Sequence, residues 1–180
     1  MNIVPKAVCM MVGIFVIVLS RIIPHPPNAT ATGAIALFTA RYGGAKYAVT
    51  TVVIAMVLSD IVIGFYAPML MALVYGSFIF VTVLGLFIPM RHGVIMPMAL
   101  SVIGSGIFFI ITNFGVWAFS GMYPLTLAGL SAAYTLALPF YGYMLLGDML
   151  YTGLIFGSAT LLSTEAVKGY AVRYEAKSSS

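Results

Sequence analysis

The chain has 180 residues, 62% of them hydrophobic and 7% charged, with a net charge of +4 and a mean hydropathy of +1.12. A water-soluble domain of this size cannot stay dissolved with so few charges, so the composition calls for an integral membrane protein. The lone Cys9 excludes a disulfide framework and a Cys-based metal cluster, and a positive charge this small and dispersed excludes a nucleic-acid surface.

Lys6 followed by the apolar run 7–19 has the outline of a secretory signal, but Ser20-Arg21-Ile22-Ile23 replaces a small-x-small cleavage site. The run reads as an uncleaved first span over 6–23. Next comes the stretch "RIIPHPPNATATGAIALFTARYGG", residues 21–44, a polar elbow of prolines, Asn28 and threonines. A helix over 29–41 has about 13 residues and reaches only about 20 Å, short of the roughly 30 Å hydrocarbon core. Asn28 is placed to cap it, so that its free N–H groups and positive dipole end open inside the membrane. Transporters build polar sites with half-length helices of this kind, because the irregular backbone then lines a cavity rather than lipid. Thr30 and Thr32 either line such a cavity or bond back to helix carbonyls.

Further spans fall at 46–64, 69–90, 94–112 and 140–163. Residues 123–138, "YPLTLAGLSAAYTLAL", are long enough for a seventh, and the basic residues decide against it. With six spans, Lys6, Arg41, Lys46, Arg91, Lys168, Arg173 and Lys177 share one side and only Arg21 lies on the other. The expected fold is therefore all-α: one transmembrane domain over 1–180, six transmembrane helices with a short second one, and residues 113–138 forming a lid on the outer side. Both termini are expected in the cytoplasm of a bacterial inner-membrane protein, with a disordered tail at 177–180.

Two carboxylates fall at membrane depth, Asp60 in "LSDIVIG" and Asp148 in "LLGDMLY". A charge there costs several kcal/mol (~3) and must face the protein interior, which makes each a functional-site candidate. Asp60 has a structural alternative, an ion pair with Arg21 at the same level. Asp148 has no basic residue on its side and needs Tyr, Thr or backbone donors instead. Asn113, Trp117 and Tyr123 in the lid would supply hydrogen bonds and stacking faces suited to a flat heterocycle, although Trp and Tyr also serve as interfacial anchors. Small residues four apart recur as Ala36 with Ala40 and Gly153 with Gly157, a spacing that lets helices approach inside the bundle or against a partner.

No P-loop is present, since "GGAKY" at 43–47 lacks the spacing and the hydroxyl. No metal site, cofactor site or nucleophile–base pair is legible, so the chain reads as a non-enzyme. The substrate-site candidates are Asn28, Asp60, Asn113, Trp117, Tyr123 and Asp148, with the carboxylates holding an amine or other donor.

The stretches "PHPPNATATGAIALF", "LSDIVIG", "NFGVWAFSGMYPLTLAGL", "LPFYGYMLLGD" and "LIFG" resemble an uncharacterised bacterial six-helix family of transport proteins. The order of elbow, short helix and outer loop is similar, at the level of the fold, to the substrate-binding S components of energy-coupling-factor (ECF) transporters. That resemblance implies uptake of a small water-soluble, vitamin-like nutrient, powered by a membrane scaffold subunit and two ATPase subunits. It also implies a small-residue docking patch on the first helix. That helix offers only Ala7, Cys9 and Gly13, which leaves Ala36 and Ala40 on the second as the docking candidates. A solitary proton-coupled transporter using Asp148, and a structural envelope protein, are the alternatives.

Overall fold

A computed structural model describes the backbone of residues 5–89 and 93–178, with side chains as far as residue 162. Arg91 and His92 lie outside the described residues, as do Ser179, Ser180 and the side chains of Lys168, Arg173 and Lys177 that entered the charge argument. Six helices account for the described chain: α1 (Lys6–Ile22), α2 (Thr32–Gly43), α3 (Ala45–Ile63), α4 (Pro68–Gly85), α5 (Ile95–Phe119) and α6 (Leu127–Ser178). No strand occurs among the described residues. Four are long and apolar enough to cross a membrane, namely α3, α4, α5 and the part of α6 over Leu127–Leu162. With 17 residues, α1 reaches about 25 Å, and the 12 residues of α2 reach about 18 Å.

Pairwise contacts fix the directions. Gly13 faces Thr51 and Arg21 bonds Ser59, the same 38-residue offset at two levels, so α1 and α3 run parallel. Between them α2 returns the other way, with Ala31 near Ser20 and Thr39 near Gly13. The packing of Val81 on Gly104 and of Leu73 on Gly115 makes α4 and α5 antiparallel. The α5–α6 pair is also antiparallel, joined by Ser101 to Thr152, Ser105 to Asp148 and Ile110 to Tyr134. Odd helices thus run one way and even helices the other. One end of the bundle carries the elbow 23–31 and the turns 64–67 and 120–126. The opposite end carries Lys6, whose Nζ lies 5.8 Å from the Tyr47 ring centroid, and Arg41, which donates to the Ile88 carbonyl at 3.0 Å. The separation of Arg21 from Lys6, Arg41 and Lys46 read from the sequence is present in the fold.

The short α2 is the axis of the bundle. It touches all five other helices, and Ala34, Ala36 and Leu37 are fully buried. Small side chains make this possible: a Cβ on Gly85 of α4 would sit 2.7 Å from Ala40 Cβ and 2.8 Å from the Leu37 backbone. The exterior is the inverse, with Phe15, Ile61, Phe87, Leu127, Leu150 and Leu162 all largely exposed. An apolar surface this continuous is stable only against lipid or another apolar partner. Inside, Thr39, Thr51, Ser59, Ser77 and Thr82 direct their hydroxyls to carbonyls one turn back, so polar side chains are buried without orphaned donors.

Three expectations are corrected. Asn28 does not cap α2, which starts later, after Ala31, with no side-chain cap; Asn28 instead sits in a left-handed turn at φ 63°. Residues 113–138 form no separate lid. They are the end of α5, a turn at 120–126 and the start of α6. Asn113 stays helical because its amide donates to the Phe109 carbonyl one turn back, and Gly115 is a close-packing position against α4 rather than a turn. The last helix does not open at Pro139 but passes through it from Leu127. One proline forfeits a single backbone bond, whereas ending the helix there would strip a whole turn of its partners in an apolar surrounding.

Candidate functional site

Two adjoining cavities of ≈ 200 and ≈ 370 Å³ lie toward the elbow end of the bundle. They share Asn28, Val74, Phe108 and Met144 as lining, so the elbow, α4, α5 and α6 all contribute to both. The smaller one is completed by Phe109, Thr112, Asn113, Val116 and Tyr141. The larger one is completed by Arg21, His25, Thr30, Ile63 and Tyr66. Asn28 stands between them because the left-handed turn, tolerated by Asn at little cost, reverses the chain after Pro26 and Pro27.

Of the residues expected at a site, Asn28 and Asn113 line these cavities. Asp60 lies behind the wall. Arg21 Nη2 donates to its Oδ1 in an ion pair, Tyr75 donates to its Oδ2 at 2.8 Å, and Arg21 Nε bonds Ser59 at 2.6 Å. At 1% exposure the carboxylate has the structural partner that the sequence offered it. Burial, and then the charge of Asp60, raise the Tyr66 hydroxyl above its ordinary range against the opposing pull of Arg21, which keeps it a neutral donor.

Asp148 lies one turn beyond Met144, outside the lining and 4% exposed. Ser105 donates to its Oδ2 at 2.7 Å, and its Oδ1 occupies the place where a Cβ on Gly33 would be, 2.6 Å away. Gly33 belongs to the first turn of α2, so the start of that helix packs directly on the carboxylate, at the end of the helix dipole that favours a negative charge. Gly147 packs on the Ala29 backbone in the same junction. Below it, Ser101 and Thr152 join at 3.1 Å and continue the polar line between α5 and α6.

Trp117 and Tyr123 line neither cavity. The Trp117 indole donates to the Pro124 carbonyl at 3.1 Å and packs against Phe114 in a tilted pair with ring centroids 5.4 Å apart, closing the α5–α6 turn. Ala36 and Ala40 are 0% and 2% exposed and pack within the bundle, which corrects their assignment as a docking surface. Gly13 is buried between α2 and α3 as well. Gly157, by contrast, has nothing within 4 Å of a Cβ, and the nearest atom to one on Gly153 is Met98 Sδ at 3.9 Å. That pair makes no close helix crossing inside the bundle.

Sequence reasoning missed His25, Tyr66, Phe108, Phe109 and Tyr141. His25 had a signal, its place beside Asn28 in the proline elbow. The aromatic residues had none, since their convergence depends on how α5 and α6 pair. Among the described residues, no three His, Cys, Asp or Glu side chains gather where a metal could be held.

A bundle with four apolar helices of spanning length and an apolar exterior is a polytopic membrane protein. The chain belongs to a family of unknown function, DUF6580, whose model matches residues 1–171. No curated protein and no solved structure matched it, so neither comparison links it to the S components of ECF transporters.

Proposed function

We propose that this protein binds a small water-soluble solute within the membrane and passes it across, as the uptake subunit of a system whose energy comes from separate scaffold and ATPase subunits. The observation that carries the reading is the pair of adjoining cavities beside the elbow, part polar and part aromatic, in a chain without a nucleotide-binding motif. Irregular backbone in a membrane bundle is tolerated where it lines a cavity, and the elbow 23–31 does so through His25, Asn28 and Thr30. A scaffold cannot dock on Ala36 and Ala40, so a partner would have to use the outer face of the bundle.

A solitary proton-coupled transporter is the second reading, favoured by Asp148, a buried carboxylate with no basic partner among the described residues. Uptake into liposomes separates the two. Purified protein alone, given a proton gradient, should bind solute without accumulating it; accumulation driven by that gradient alone would establish the second reading. Mass spectrometry of whatever co-purifies with the detergent-extracted protein identifies the solute.

A further inference from the structure

The charge facing the cavities sets the chemistry of what they can hold. Neither described membrane carboxylate looks into them: Asp60 has both oxygens engaged by Arg21 and Tyr75, and Asp148 lies beyond Met144. Arg21 does line the larger cavity. Its Nε and Nη2 serve Ser59 and Asp60, while Nη1 makes no hydrogen bond among the described residues and is left for another acceptor. Beside it, His25 Nδ1 donates to the Ile23 carbonyl at 2.6 Å, and the Tyr66 hydroxyl on the same wall makes no hydrogen bond among the described residues. This compartment offers donors from Arg21 and Tyr66, while a neutral His25, with Nδ1–H given to Ile23, leaves Nε2 as an acceptor.

The smaller compartment differs. Phe109 and Tyr141 stand 4.8 Å apart between ring centroids and are joined by Phe108 and Phe140 on the same lining. Asn113 gives its amide N–H to Phe109, which leaves its carbonyl oxygen as an acceptor, and the Asn28 side chain makes no hydrogen bond. Flat aromatic faces with two directional amides suit a planar ring that carries polar atoms. The two compartments adjoin across their shared lining of Asn28, Val74, Phe108 and Met144, so a ligand that spans them would reach from this compartment to Arg21.

We propose that the two adjoining cavities together receive an aromatic or heteroaromatic acid, its ring against Phe109 and Tyr141 and its anionic group on Arg21 Nη1. The inference rests on the proposed binding role, and it reverses the ligand polarity that two membrane aspartates imply in the sequence. A guanidinium already oriented by Asp60 and Ser59 meets the anion with little further ordering, and charge-assisted hydrogen bonds are about twice as strong as neutral ones.

Equilibrium dialysis of the detergent-purified protein against 2-naphthoate, 2-naphthamide, 2-naphthylmethylamine and decanoate tests it. Naphthoate should bind at least about tenfold tighter than each of the others, the loss expected for one charge-assisted hydrogen bond or for the ring contacts. In the double variant Arg21→Gln/Asp60→Asn, which removes the ion pair as a unit, naphthoate and naphthamide should bind within about twofold of each other. Tighter binding of the amine or the amide overturns the proposal, as does decanoate matching naphthoate, which would mark a site for lipid chains. An acid preference that persists in the double variant also overturns it. The wild-type series decides alone if that variant does not accumulate. If no probe binds but a co-purified solute of another class is found, the inference fails and the binding role stands; if neither is found, both fail.

Discussion

Removing Arg21 and Asp60 one at a time and then together tests the central claim about the elbow end, that Asp60 is there to hold Arg21 and not to hold a solute. Arg21→Met leaves a carboxylate of 1% exposure with only the Tyr75 hydroxyl. Breaking a buried pair from one side costs about 3–5 kcal/mol, and the 15% exposure of the Arg21 side chain puts this case at the lower end, about 3 kcal/mol. For a chain of this length that corresponds to roughly 6–12 °C in melting temperature. Asp60→Asn should cost less, about 1–2 kcal/mol, because Arg21 keeps Ser59 and can turn toward the open cavity. The double replacement Arg21→Met/Asp60→Asn should then lie within about 1 kcal/mol of the milder single variant, a coupling of about 2–3 kcal/mol. Thermal loss of the monodisperse peak in size-exclusion chromatography, measured in one detergent for all four proteins, reads this directly. Strictly additive shifts would mean that the two residues act separately, and Asp60 would return as a solute ligand.

Asp148→Asn should accumulate normally and retain solute binding within about twofold, since Ser105 and the first turn of α2 can hold a neutral amide; a tenfold loss would bring the carboxylate into the site. Gly85→Ala should cost about 1–3 kcal/mol, because its Cβ meets the Leu37 backbone at 2.8 Å and backbone cannot yield as a side-chain tip does; an unchanged melting temperature would refute the central position of α2. In a protein whose Cys9 is replaced, single cysteines at Tyr66 and Ser120 should react with an impermeant maleimide from one side of the membrane and a cysteine at Gly44 from the other. Labelling of Tyr66 and Gly44 positions from the same side would contradict the alternating directions of α1 to α4. Replacing Asn28 with Gly, which keeps the left-handed turn but deletes the amide, should weaken solute binding about three- to tenfold with no loss of stability, read by equilibrium dialysis.

The membrane class, the short second helix and the Arg21–Asp60 pair were legible because each rests on local composition or on one strong charge pairing. The α5–α6 turn was misplaced because Gly115, Asn113 and Pro139 carry turn chemistry in a sequence read alone. In the bundle, Gly115 admits Leu73, Asn113 bonds its own helix and Pro139 is carried by the turns around it. The docking role of Ala36 and Ala40 failed on a related ambiguity: four-residue spacing describes a face able to pack closely and does not say against what. At the cavities, the two asparagines were found by polarity. The aromatic wall escaped notice because Phe109 and Tyr141 are 32 residues apart and meet only through the antiparallel pairing of their helices.

The enclosure of α2 also constrains how the protein is made. It is the second helix to emerge during synthesis, yet its wall at Ala29 and Gly33 is supplied by Gly147 and Asp148 of the last. A nascent chain that ends before α6 therefore lacks the wall over the first turn of α2. The five earlier helices can pack on one another, but the seam at Ala29 and Gly33 closes only when the sixth has joined them. Truncations, or a split of the chain between α5 and α6, expose the same seam, and membrane quality control would meet them there first.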